Sequence, residues 1–256
     1  MDLATLIPVA IVVTLCSLLQ SLVGFGFALF AVPLLILLGL SLPEAVGVCL
    51  TATLTQGAVA AIGLRRHIQW RAIAPVTTLF ILATPLGLAA MGLLVGMGAG
   101  RVKQGVGIML LAVLLLWWLV RVEPRERLAA GWGMAAGVGA GFLTGSVGMG
   151  GPPCVLWVLG HRWSGEQMRA SLLTIYSIGA PLQFGMLWWG AHHRPEVGGA
   201  GLLGLLLTPL IIAGSAAGLR LAPLLPVTHL RRVMLLLLAG MALYAIVTPI
   251  VTGLVK

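Results

Sequence analysis

The sequence predicts an all-α membrane protein of two inverted repeats, five helical segments each, with short glycine-broken half-helices in re-entrant-like hairpins meeting near the midplane. Three observations carry this. The 256 residues have a mean hydropathy of +1.11, with 60% hydrophobic and only 8% charged content, a balance that cannot present a soluble surface. The apolar runs form ten segments, two of them too short to cross a bilayer. Each short segment follows a glycine cluster, and the two clusters lie 124 residues apart.

A helix needs about 20 residues to cross a hydrocarbon core of roughly 30 Å. Leu3 to Leu22 meets that length; it opens on Asp2 rather than on bases and has no small-residue cleavage site, so it reads as a retained span. Phe27 to Gly39 is too short and follows Ser21-Leu22-Val23-Gly24-Phe25-Gly26. Glu44 to Gly63, Ala72 to Gly96 and Val102 to Val120 complete the first half. Leu128 to Gly145 opens the second half, and the short segment Pro152 to Gly160 follows Thr144-Gly145-Ser146-Val147-Gly148-Met149-Gly150-Gly151. Gly165 to Trp189, Gly198 to Leu219 and His229 to Val251 close the chain. The units are therefore residues 1–120 and 128–256, joined by a cytoplasmic linker over 121–127. An odd number of segments per repeat turns the second copy upside down, as in secondary transporters.

Charge tests the arrangement. With the loop Arg65 to Arg71 in the cytoplasm, Arg65, Arg66, Arg71, Arg121, Arg125, Arg127, Arg162, Arg220, Arg231 and Arg232 fall inside. Only Arg101, Lys103, Arg194 and Lys256 fall outside, which satisfies the positive-inside rule and puts both termini outside. The net charge of +9 sits in loop ends flanking lipid-length segments and forms no basic face, so nucleic acid is excluded as a partner. Cys16, Cys49 and Cys154 have no CxxC or Cys/His neighbour and read as small hydrophobes. Neither a metal nor another cofactor is expected. No nucleophile with a base lies at membrane depth, which speaks against an intramembrane enzyme. No long docking loop supports a passive anchor, and a homo-oligomer is compatible with the sequence.

In hydrocarbon, irregular backbone is tolerated only when buried in protein or lining a wet cavity. The two glycine turns therefore break hairpins partway across the membrane, with Pro152 beginning the second short helix where a missing N–H matters least. A helix start presents unpaired N–H groups and partial positive charge, and glycine lets a ligand approach without a Cβ. Two such starts suit one small anion. The candidate site is Gly24, Phe25 and Gly26 with Gly148, Met149, Gly150, Gly151 and Pro152. Gln20, Ser21, Thr144 and Ser146 flank the turns as extra donors. Arg169 stands one turn beyond Glu166, spaced for an ion pair, or else turns inward and adds charge at the inner mouth. Ser171, Thr174 and Gln56 join the candidates as cavity lining; the competing reading of each hydroxyl is a bond to its own helix.

The stretches LVGFGFALFAVPLL and GAGFLTGSVGMGGPP resemble the paired signatures of the TauE/SafE family, also called the toluene sulfonate uptake permease family. The first departs from the commoner glycine-triplet form, with Phe25 and Phe27 around Gly26. The resemblance covers the whole chain and implies a polytopic transporter of sulfite, sulfonates or related anions in the bacterial cytoplasmic membrane. Its motif positions fall on Gly24, Gly26 and Pro33, and on Gly148, Gly150, Gly151 and Pro152. The expected function is a secondary transporter exporting sulfite or a small organosulfonate by alternating access. Thiosulfate or a carboxylate is the alternative cargo, and proton-coupled uptake the alternative mode. The inside-negative potential favours moving one negative charge outward by about 2.3 kcal/mol per 100 mV.

Overall fold

A computed structural model describes residues 3–119, 123–125, 128–190, 195–222, 236–245 and 247. The first-half helices are α1 (Leu3–Val23), α2 (Phe27–Leu37), α3 (Leu42–Leu64), α4 (Trp70–Gly96) and α5 (Ala99–Leu119). Next come α6 (Ala130–Val147), α7 (Gly151–Leu159), α8 (Gly165–Gly190), α9 (Pro195–Leu206) and α10 (Thr208–Leu221). The last is α11 (Leu236–Ala245). Among the described residues no strand forms. Four helices there, α1, α4, α5 and α8, are long and apolar enough to cross a membrane, and α9 with α10 makes a fifth candidate as a bent pair.

That bend is a departure from the sequence reading, in which Gly198 to Leu219 is one segment. The chain turns by 53° between α9 and α10. Pro209 explains it: its ring fills the first turn of α10 and it has no N–H for the carbonyl four residues back, so the helix restarts there. Most of the expected segment His229 to Val251, parts of the 121–127 linker, and Arg121, Arg127, Arg194, Arg231, Arg232 and Lys256 lie outside the described residues.

Local signals fix the other boundaries. Ser41 and Glu44 form a reciprocal capping box at the start of α3, the Ser41 N–H donating to Glu44 Oε2 at 2.7 Å. Gly39 ends α2 with φ +100°. The turn Arg65–His67 closes α3, and His67 Nε2 meets Glu166 Oε2 at 3.1 Å, tying that turn to the start of α8.

The helices pair in an ordered way. α4 packs along α6, α10 along α1, and α3 along α8. Glycines permit the closest approaches: a Cβ on Gly141 would strike the Phe80 carbonyl of α4, and one on Gly218 would meet the Leu18 carbonyl of α1. Helix boundaries recur at the 124-residue offset, α2 falling on α7 and α3 on α8. Apolar side chains such as Leu86 and Leu206 face outward while Gln20, Gln56 and Gln183 are buried. That distribution suits a lipid surround with polar contacts kept inside.

Candidate anion site

The first turn is made by two glycines in the left-handed region, Gly24 at φ +93° and Gly26 at +106°, where any L side chain is strained. Gln20, in the last turn of α1, reaches across the turn: its Oε1 accepts the Phe27 N–H at 3.0 Å. One orphan donor of α2 is thereby capped. The first-turn amides of Ala28 and Leu29 have no intrahelical acceptor.

The second turn is built differently. α6 ends at Gly148, φ +76°, with the Met149 N–H returning to the Leu143 carbonyl at 3.3 Å. Gly150 then passes so close to α6 that a Cβ there would overlap the Ala140 carbonyl and the Thr144 hydroxyl. α7 starts at Gly151, followed by Pro152 and Pro153, so two of its first-turn positions carry no N–H. A Cβ on Gly151 would point into open space, its nearest neighbour being Tyr176 Oη at 3.9 Å.

Both turns line one cavity of about 60 Å³, together with residues of α3, α4 and α8. One water needs roughly 10–15 Å³ on this measure, so the space holds a few waters or one small oxyanion. Its wall is mainly apolar, including Val46, Leu50 and Phe80. The polar side chains are Gln20, Thr53, Thr144, Tyr176 and Gln183. Thr53 donates to the Cys49 carbonyl at 2.8 Å, Thr144 to Ala140 at 2.7 Å and Tyr176 to Gly151 at 3.1 Å. Gln183 Nε2 donates to the Thr144 carbonyl at 2.7 Å, while its Oε1 is buried without a partner.

The family model for the sulfite exporter TauE/SafE matches residues 9–245. The chain belongs to the TauE/SafE family. A similar relative is the probable sulfite/organosulfonate exporter TauE of Cupriavidus necator, 22% identical over 222 residues, 86% of each chain. No solved structure matches significantly.

In this TauE/SafE member, Gln20, Phe25, Gly26, Thr144, Gly148, Met149, Gly150, Gly151 and Pro152 all lie on the cavity wall. The remaining candidates stand elsewhere. Gly24 packs against the stem of Arg169, whose Cγ would sit 2.7 Å from a Cβ there. Arg169 lines a neighbouring apolar cavity of about 370 Å³ with Met168, Trp117 and Phe25, its Nε unpartnered. Glu166 pairs with His67 rather than with Arg169. Ser146 donates to the Leu143 carbonyl at 3.4 Å, Thr174 to Ala170 at 2.7 Å, and Ser171 accepts the Gln69 N–H at 3.4 Å. Ser21 and Gln56 are buried off the wall, and both amide atoms of Gln56 lack partners.

Thr144 was expected as a donor, yet its proton goes to α6 itself. Gln183 has no place among the sequence candidates, although an amide inside an apolar run is the signal that points to it. Phe25 forms part of the wall of both cavities and packs edge-on against Trp117, centroids 5.2 Å apart. Cys16, Cys49 and Cys154 are free thiols, all buried. Among the described residues no group of three His, Cys, Asp or Glu side chains is placed to hold a metal.

Proposed function

We propose that this chain is a secondary transporter that exports sulfite or a small organosulfonate, holding the anion between the starts of α2 and α7 in the central cavity. The observation that carries the reading is that both glycine turns, 124 residues apart, line one cavity of oxyanion size. The first-turn amides of α2 and the Gly151 N–H at the start of α7 supply partial positive charge without a cationic side chain. The family and the C. necator relative's printed name support the cargo class.

The two halves are read as inverted repeats, residues 1–120 and 128–256, exchanging conformations to give alternating access. Helix pairing supports this. At the 124-residue offset α1 maps to α6 and α4 to the α9–α10 pair, so the α4–α6 and α1–α10 contacts exchange roles, and the α3–α8 contact maps onto itself. Uniport is favoured over proton coupling because the polar side chains of the wall are amides and hydroxyls. Glu44 is held in its capping box and Glu166 faces His67. The setting is the bacterial inner membrane, with both termini outside; thiosulfate and carboxylates are the competing cargoes.

Gly151→Leu tests the site. Its side chain would enter the cavity with no backbone in the way, so the variant should fold and insert normally while sulfite flux in proteoliposomes falls by at least about tenfold. Unchanged flux rejects the site.

A further inference from the structure

The hydrogen-bond directions in the cavity wall sort its groups into two kinds. Gln20 is oriented by the Phe27 N–H that its Oε1 accepts, which leaves its amide N–H groups as the side-chain donors of the site. Gln183 is oriented the opposite way: the Thr144 carbonyl can only accept, so Nε2 faces it and Oε1 is left as an unpartnered acceptor on a residue only 1% exposed. Thr53, Thr144 and Tyr176 each donate to a backbone carbonyl, so each hydroxyl has only lone pairs left for the cavity. Donors thus gather at the start of α2, and acceptors lie around the start of α7 and on the remaining wall.

A bare dianion is a poor match for such a wall. It accepts hydrogen bonds and donates none, so it would face Gln183 Oε1 and the hydroxyl lone pairs with repulsion. Its desolvation penalty also grows with the square of the charge, and among the described residues no cationic side chain lines the space. Hydrogensulfite carries a single charge, and its O–H form has one donor. We propose that the cavity selects the protonated monoanion, hydrogensulfite over the sulfite dianion, with Gln183 Oε1 accepting its proton-bearing oxygen while the amides of Gln20 and the α2 start bind the others.

This rests on the reading of the cavity as the transport site. The titratable side chains facing Gln183 and the space are Cys49 from α3 and Tyr176 from α8, with Cys154 of α7 beside Tyr176. The charged groups of α8 near the cavities lie at its other end, in the first turns: Arg169, in the adjoining cavity, and Glu166, paired with His67.

The test is equilibrium exchange of radiolabelled sulfite in proteoliposomes at equal pH on both sides, from about pH 6 to about pH 8.5, with methanesulfonate as a competitor that does not titrate there. The KM in total sulfite should rise about tenfold per pH unit above the pKa of hydrogensulfite, while inhibition by methanesulfonate stays flat. Gln183→Met should raise the low-pH KM about tenfold and shrink the ratio between high-pH and low-pH values. Tyr176→Phe should shrink that ratio less. A wild-type KM that is flat, or that falls as pH rises, overturns the inference while leaving sulfite transport standing. Absence of sulfite exchange at every pH removes the transport reading and the inference with it. The wild-type profile decides alone, so a misfolded Gln183→Met does not protect the proposal.

Discussion

Ser177 Oγ donates to the Thr53 carbonyl at 3.5 Å, and the two residues are 124 positions apart, the offset that carries one glycine turn onto the other. In the proposed inverted repeat, equivalent positions touch only beside the twofold axis. In a background with Cys16, Cys49 and Cys154 replaced by Ala, the pair Thr53→Cys and Ser177→Cys should therefore cross-link within one chain under mild oxidation. A gel-mobility shift reads the result, and no cross-link would count against the axis running between α3 and α8.

Gly150 and Gly151 are neighbours with opposite tolerances. Gly150→Ala forces a Cβ against the Ala140 carbonyl and should destabilise the protein by about 1–3 kcal/mol through overpacking. Gly151→Ala, with nothing nearer than 3.9 Å, should shift stability by less than about 1 kcal/mol. Tryptophan-fluorescence melting in detergent compares the two; equal effects would contradict the close approach of α6.

Left-handed glycines separate strain from crowding. Gly39, φ +100° with no neighbour within 4 Å, should cost only backbone strain on change to Ala, about 1–2 kcal/mol. Gly148, φ +76° and with Val46 Cγ2 at 2.7 Å from a built Cβ, should cost more. The same melting measurement ranks them, and the reverse order would be inconsistent with the packing of α3 on the second turn.

His161, in the loop between α7 and α8, stacks on Trp163 at 4.2 Å between centroids, and its Nδ1–H donates to the Trp157 carbonyl at 3.0 Å. Burial lowers its pKa below the ordinary 6.5, outweighing the carbonyl that raises it. The unfolded chain then takes up a proton first, so this group's contribution to stability is present above 6.5 and is lost as pH falls through that value toward the folded-state pKa. His161→Phe should flatten part of the loss of melting temperature between about pH 7 and about pH 5. An unchanged pH slope would exclude His161 as its source.

Orientation is open to single-cysteine labelling. Arg66→Cys, on the exposed turn after α3, should react with a membrane-impermeant maleimide only from the cytoplasmic side, and Arg101→Cys, in the first turn of α5, only from outside. Labelling of both from one side would break the proposed topology, and exchanged sides would reverse it.

The glycine turns were legible because each precedes an apolar run too short to span, a coincidence that packing alone does not require. The bend at α9–α10 had its signal too: Pro209 follows Thr208 inside the run, but apolar continuity masks a break that only missing backbone donors make. Hydrogen-bond direction was beyond the sequence. Thr144 reads as a donor in one dimension, and only the folded helix shows its proton given to Ala140. Gln183 becomes informative only when α8 brings it to the Thr144 carbonyl, and Arg169 only when Gly24 admits its stem beside the first turn.

The cysteines have a chemical consequence for a carrier of this proposed cargo. Sulfite is a nucleophile that splits sulfur–sulfur bonds, and cross-linked extracytoplasmic proteins are its natural targets. Here all three cysteines are free thiols buried in the helix bundle, and even Cys49, in the cavity wall, offers no disulfide to cleave. A sulfite passenger would meet no disulfide on the proposed route.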